Sequence, residues 1–188
     1  MRDEQPIFTT RLVPARRAGR GFTLLEALVV IAILGILAAI AVPSFDHIAV
    51  STRASSIASN LAASVQLARS EAILRNARVS VCAGASCASP GEWKNGWVVV
   101  AMTGGDAKVL RQEPALLPGW QICRVRVPTD SDCLADSQLQ LEAIGVGVTP
   151  AYFIVWRSEP AGQVQKCVFV GPSGTASVLT RQANGACA

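Results

Sequence analysis

The sequence predicts an α+β fold: a long N-terminal α-helix, membrane-spanning in its first half, packed on a C-terminal antiparallel β-sheet or sandwich that disulfides hold together. Three observations carry this. An apolar run from Phe22 to Val42 is interrupted only by Thr23, Glu26 and Gly35. A stripe of apolar residues at helical spacing prolongs it to about Ala77. From Arg78 onward the texture changes to short β-rich runs between turn formers, and all six cysteines fall there.

As an α-helix the first run is about 31 Å long, close to the roughly 30 Å hydrocarbon core of a bilayer. Ahead of it stand Arg2, Arg11, Arg16, Arg17 and Arg20 against only Asp3 and Glu4. By the positive-inside rule this keeps the N-terminus cytoplasmic and exports everything after Val42, so the expected location is the inner membrane with a periplasmic C-terminal domain. The formal net charge of +4 sits mostly in this leader: residues 1–21 hold five arginines and two acids, leaving 12 basic and 11 acidic side chains beyond it. Global charge therefore gives no argument for a polyanionic partner. The 51% apolar composition excludes a disordered chain, and 188 residues allow one compact domain plus an anchor.

Glu26 is the oddity in the run, because a carboxylate near the centre of a membrane helix costs roughly 2.5–3.5 kcal/mol, and less towards an end. An ordinary secretory signal peptide with Ala39-Ile40-Ala41 as its small-x-small cleavage site, or a plain signal-anchor, leaves Glu26 without a purpose. The run also exceeds the 7–15 residues of a usual signal-peptide apolar region. The alternative starts from Gly21-Phe22-Thr23-Leu24-Leu25-Glu26, preceded by Arg16, Arg17 and Arg20. This stretch resembles the class III signal of type IV pilins and type II secretion pseudopilins. The resemblance implies that a prepilin peptidase cuts between Gly21 and Phe22 and methylates the new N-terminus at Phe22. It implies a helix bend at Pro43, and a filament in which Glu26 meets the N-terminal amine of a neighbouring subunit. Such an amine is largely cationic near neutral pH. A carboxylate that is costly alone becomes tolerable when paired with it, which penalises the unassembled state. The implied partners are other pilins or pseudopilins in a filament, the prepilin peptidase/N-methyltransferase, an inner-membrane assembly platform and the lipid bilayer.

Beyond Pro43, the residues Val50, Ala54, Ile57, Leu61, Val65, Ala68 and Ala72 fall on one narrow arc of a helix, with Thr52, Ser55, Ser59, Gln66 and Ser70 opposite. This stripe is expected to pack on the protein's own sheet. Then come "RVSVC", "GWVVVA", "KVLRQ", "QICRVRV", "QLQLE", "YFIVW", "VQKCVFV" and "ASVLT", read as six to eight antiparallel strands. The breaks "SPG", "GGD", "PGW", "PTDSD" and "GPSG" are turn chemistry. The expected organisation is a leader at 1–21, a transmembrane helix at 22–42, an amphipathic half-helix at 43–77 and a β-rich domain at 78–188. On the exported side the cysteines are free to oxidise, and each neighbouring pair flanks turn residues, so Cys82 is expected to join Cys87, Cys123 to join Cys133 and Cys167 to join Cys187. A zinc site is not expected, since no CxxC occurs and His47 is the only histidine.

"LARSEAILRNARVSVC" followed by "EWKNGWVVV" resembles the GspH/FimT family of minor pilins and pseudopilins, with the likeness covering residues 21 to 112. The family implies a small β-sandwich against the helix and a structural subunit that helps initiate or cap a type II secretion pseudopilus or a type IV pilus. Two alternatives remain: a DNA-binding tip pilin of the FimT type, and, outside the family, a periplasmic β-domain with an ordinary signal.

No enzyme is expected. His47, on the membrane side, is no partner for an exported nucleophile, "GPSGT" lacks the spacing of a nucleophile elbow, and Gly145-Val146-Gly147 is no phosphate loop. Asp130, Asp132 and Asp136 lack the glycine and glutamate of a calcium loop. No cofactor or metal follows from the residues. Trp93, Trp97, Trp120 and Trp156 are expected in the core. FimT-type relatives bind DNA through arginines before a late cysteine; the matching stretch, Gly171 to Cys187, holds only Arg181. Arg124 and Arg126 alternate on one strand and could add a small outward patch, and folding could gather Arg157 and Lys166 with them. A few such charges support weak, salt-sensitive binding at most.

Overall fold

The computed structural model describes residues 22–188 except 90, 104, 131, 136, 145–148 and 159–164, and leaves out the side chains at 40–44 and 103. The leader, with Gly21 and its arginines, lies outside the described residues, as do Asp136 and the glycines at 145 and 147. The chain divides into two compact units, one ending at Ala41 and the other Val42–Ala188.

A single helix, α1 (Leu24–Arg75, 52 residues), enters both units and continues through Pro43. The bend expected at Pro43 falls on side chains outside the described set. The helix stops at Asn76, whose φ of 47° takes the left-handed conformation that asparagine tolerates. There Ala77 N–H donates to Ala72 O (3.2 Å) and Asn76 N–H to Ile73 O (3.3 Å), a Schellman closure of the last carbonyls.

Eight strands follow: β1 (Val79–Ala83), β2 (Trp97–Thr103), β3 (Asp106–Glu113), β4 (Trp120–Val125), β5 (Gln138–Leu141), β6 (Ala151–Arg157), β7 (Lys166–Val170) and β8 (Ala176–Thr180). A 3-10 turn, η1 (Trp93–Asn95), precedes β2. They form two four-stranded sheets, β3-β2-β1-β5 and β4-β6-β7-β8, in which every neighbouring pair is antiparallel. Gly96, with φ of 89°, lets β2 start where the backbone of Glu113 and Pro114 passes; any Cβ would collide with it.

One core fills the second unit. The expected helix stripe, Val50, Ala54, Ile57, Leu61, Val65, Ala68 and Ala72, is buried throughout. It joins Val79, Val81, Trp97, Val99 and Leu141 of the first sheet and Trp120, Ile122, Phe153, Val155, Val168 and Val170 of the second. Trp93 carries η1 into the same core, edge-on to Phe153 with ring centroids 4.9 Å apart. Trp156 departs from the expectation: it pairs with Gln121 on the opposite face of the second sheet and is only half-buried. Cross-strand partners share a face, so the parity that buries Phe153 and Val155 turns Trp156 outward.

The three disulfides join sequence neighbours, Cys82–Cys87, Cys123–Cys133 and Cys167–Cys187, with Cα–Cα distances of 5.2, 5.5 and 6.0 Å. The first pulls a loop over Val98 and Val100, which point away from the main core. Cys123, with Val125 and Ile154, forms a second small cluster beside Tyr152 and Trp156. Loops tied down by covalent bonds thus cover apolar side chains on the outward faces of both sheets.

Candidate functional site

The first turn of α1 is assembled from Phe22, Thr23 and Glu26. Thr23 stands just before the helix, and its Oγ1 accepts a hydrogen bond from the backbone N–H of Glu26 at 3.2 Å. Its carbonyl accepts from Ala27 N–H at 3.1 Å. Thr23 is therefore the N-cap and Glu26 the third helical residue, the spacing of a capping box. Glu26 also brings a negative charge to the positive end of the helix dipole. This local role was missed by the sequence reading, although the threonine three residues before the glutamate signals it.

Phe22 is 72% exposed, and Leu24, Leu25, Leu28, Ile31, Ile33, Leu34, Ile36 and Leu37 are all exposed. Exposed apolar side chains in this number exceed what the surface of a soluble monomer usually carries. Among the described residues no helix is long and apolar enough to cross a membrane. The apolar half of α1 has described side chains only from Leu24 to Ala39, about 24 Å of axis.

Of the five basic residues singled out in the sequence, only Arg157 and Lys166 come together, as diagonal neighbours on one face of β6 and β7. Arg124 is 7% exposed and shares the inward face of β4 with Trp120 and Ile122, its Nη1 reaching Gln138 O at 3.5 Å. The expected outward patch of Arg124 and Arg126 is thus corrected. The alternation holds, but the face it selects is the core side, and Arg126 lies past the end of the strand, exposed. Arg157 pairs with Trp120 at the other end of β4 from Arg126, about 20 Å away along the strand. Lys166 sits in register with Val155 and Thr180 and donates to Thr180 Oγ1 at 3.0 Å.

Arg181 is half-buried, and each of its three side-chain nitrogens donates one hydrogen bond. Its Nη1 donates to Gln165 Oε1 (2.7 Å), Nη2 to Asp130 O (3.2 Å) and Nε to Gly185 O (3.3 Å). It ties the loop closed by Cys123–Cys133 to the segment closed by Cys167–Cys187. The one basic residue of the C-terminal stretch is a brace between loops, not a free cation. Among the described residues no group of acidic, histidine or cysteine side chains is placed to hold a metal.

A helix with an exposed apolar head, a capped glutamate near its start and a disulfide-braced double sheet on its tail define a pilin-like subunit. The family described as Type II transport protein GspH matches residues 58–180, and the prokaryotic N-terminal methylation motif matches residues 16–42. The chain belongs to the GspH family of minor pilins and pseudopilins. The match extends well past Gln112, where the residue-by-residue likeness ended. Among solved structures, the type IV minor pilin FimU of Pseudomonas aeruginosa (strain PAO1) superposes with a TM-score of 0.53 at 18% identity, over 73% of this chain and 93% of that one. The minor pseudopilin EpsH from the Type 2 Secretion System of Vibrio cholerae gives 0.49 at 17% identity, over 68% and 96%. At this identity the FimU likeness shows a shared fold. A search of curated proteins finds no match.

Proposed function

We propose that this chain is a structural, non-enzymatic minor subunit of a type II secretion pseudopilus or type IV pilus that helps to initiate or cap the filament. A prepilin peptidase/N-methyltransferase cuts between Gly21 and Phe22 and methylates Phe22. The apolar half of α1 anchors the subunit once in the inner membrane until an assembly platform extracts it into the filament, and Glu26 pairs there with a neighbour's terminal amine. The observation that carries this reading is the exposed apolar stretch from Phe22 to Leu37, whose one charged residue, Glu26, stands in the first turn of α1. The match of the methylation motif to residues 16–42 supports it. Nothing in the placement of Arg124, Arg126 or Arg181 favours DNA as a partner.

The mature N-terminus tests the proposal. Intact-mass and N-terminal analysis of the membrane-extracted protein is expected to find N-methyl-Phe22. A chain beginning at Val42 would overturn the proposal and restore an ordinary signal peptide.

A further inference from the structure

A cavity of about 670 Å³ opens between η1 and the Cys123–Cys133 bridge, lined by Glu92, Lys94, Gln121, Ile122, Leu134 and Trp156 among others. Its size lies within the range of ligand pockets, roughly 300–1,000 Å³. Its floor is the outer edge of β4, a strand whose one sheet neighbour among the described residues is β6.

In an antiparallel pair the backbone polar groups of successive residues point alternately towards and away from the partner strand. Ser158 N–H donates to Gly119 O at 2.8 Å in the β4–β6 register, so Gln121, Cys123 and Val125 turn their polar groups to β6. Trp120, Ile122 and Arg124 turn theirs to the free edge. Two bonds agree: Trp120 N–H donates outward to Leu117 O (3.1 Å), and Arg124 O accepts from Leu134 N–H (2.8 Å). Ile122 lies between them, and its outward N–H and C=O have no backbone partner among the described residues. The residue is only 4% exposed, with its side chain in the core. A backbone pair on so buried a residue calls for a partner, and the cavity stands where that partner would be.

A donor and an acceptor side by side at strand spacing are complemented by the backbone of another extended chain. An anion would use only the N–H, and a cation only the carbonyl. The walls add to this. The half-exposed indole of Trp156 offers an apolar surface, and Glu92 and Lys94 pair with each other at 2.7 Å, leaving the rim without surplus charge.

We propose that the free edge of β4 at Ile122 receives an extended, uncharged segment of a neighbouring filament subunit, held by backbone pairing to Ile122 and by a side chain laid against Trp156. This rests on the reading of the chain as a filament subunit. It adds a specific contact in the exported domain to the packing of apolar helices.

The test uses the full chain in filament-forming cells, with photoreactive p-benzoylphenylalanine at Gln121 and, in a separate strain, at Ile33 in the exposed apolar helix. Both probes are expected to give adducts with filament subunits. The Gln121 adduct should map to an uncharged segment and fall at least tenfold in Ala135→Trp, which fills the cavity from an exposed rim position. Retention of all three disulfides checks that this variant is folded. An Ile33 adduct with no Gln121 adduct, a Gln121 adduct to lipid or to a non-filament protein, or one that survives Ala135→Trp would overturn the β4 contact. Absence of any Ile33 adduct to a filament subunit would overturn the filament reading itself, and this proposal with it.

Discussion

The indole Nε1 of Trp97 on β2 donates to Oγ of Ser64 on α1 at 2.9 Å, in a contact closed to solvent. Ser64 Oγ in turn donates to Asn60 O at 2.8 Å, so one hydroxyl serves as acceptor for the sheet and donor to the helix. This fixes the position of the second half of α1 on the first sheet where apolar packing alone would tolerate sliding.

Ser64→Ala leaves a buried indole N–H without an acceptor, and such a loss costs about 1–3 kcal/mol. The expected outcome is a lower Tm of the detergent-solubilised full chain with all disulfides retained. Trp97→Phe removes the donor but opens space in the core, so the pairwise part is isolated by a double-mutant cycle. A coupling energy of about 1 kcal/mol is expected. Full additivity would show that the contact contributes nothing to stability.

The disulfides should differ in weight according to the loops they close. In the chain-entropy treatment, the bridges with separations of 5, 10 and 20 residues restrain the unfolded chain by about 2, 2.7 and 3.3 kcal/mol. Paired Cys→Ser replacements are expected to lower stability in that order, with Cys167/Cys187 the most costly. Chemical denaturation of the three double variants measures it. Peptide mapping without reduction provides the independent check on connectivity, and Cys167 joined to anything but Cys187 would remove the basis of the ranking.

What was legible in the residues depended on whether a face had one environment or two. The stripe from Val50 to Ala72 reads as a helix because its opposite side is polar. On β4 both faces are apolar: Trp120 and Ile122 enter the main core, while Cys123 and Val125 lie among the residues around Ile154. With no polar face to mark the outside, Arg124 read as outward when it is inward. The parity of Trp120, Ile122 and Arg124 was the available signal. Sheet order was not legible at all, since pairing β1 with β5 and β4 with β6 depends on contacts between strands distant in sequence. The β4 edge at Ile122 follows only from that order.

Arg181→Ala should act on stability and not on nucleic-acid binding. It removes three donated hydrogen bonds, of which the one to Asp130 O joins the two bridged loops, and those to charged groups are each worth about 1.5–3 kcal/mol at most. The expected result is a lower Tm and faster proteolysis after Gln182, with no change in an already weak DNA affinity. Strong non-specific binding scales with the phosphates neutralised, and of the five candidate cations only Arg157 and Lys166 lie side by side on one face. A salt titration with double-stranded DNA measures this. Micromolar binding at about 0.15 M salt, with a slope of several phosphate contacts and loss in Arg181→Ala, would restore a DNA receptor.

The proposed function gives Glu26 a role towards a neighbour that is separable from its place in its own helix. As the third helical residue it belongs to the cap that Thr23 begins, and removing a cap costs about 0.5–2 kcal/mol of helix stability. Thr23→Val therefore weakens the first turn while keeping the carboxylate. Glu26→Gln keeps a side chain suited to the capping box while removing the charge. Glu26→Leu removes both and lowers the cost of insertion. If pairing with a neighbour's amine drives assembly, Glu26→Gln and Glu26→Leu should both insert and be cleaved normally yet be depleted from sheared filaments by tenfold or more, while Thr23→Val incorporates to within a few-fold of wild type. The same ratio of filament to membrane protein, measured for all three, separates the roles. Incorporation of Glu26→Gln at the wild-type level, with Thr23→Val depleted instead, would show that the residue serves its own helix cap and not its neighbour.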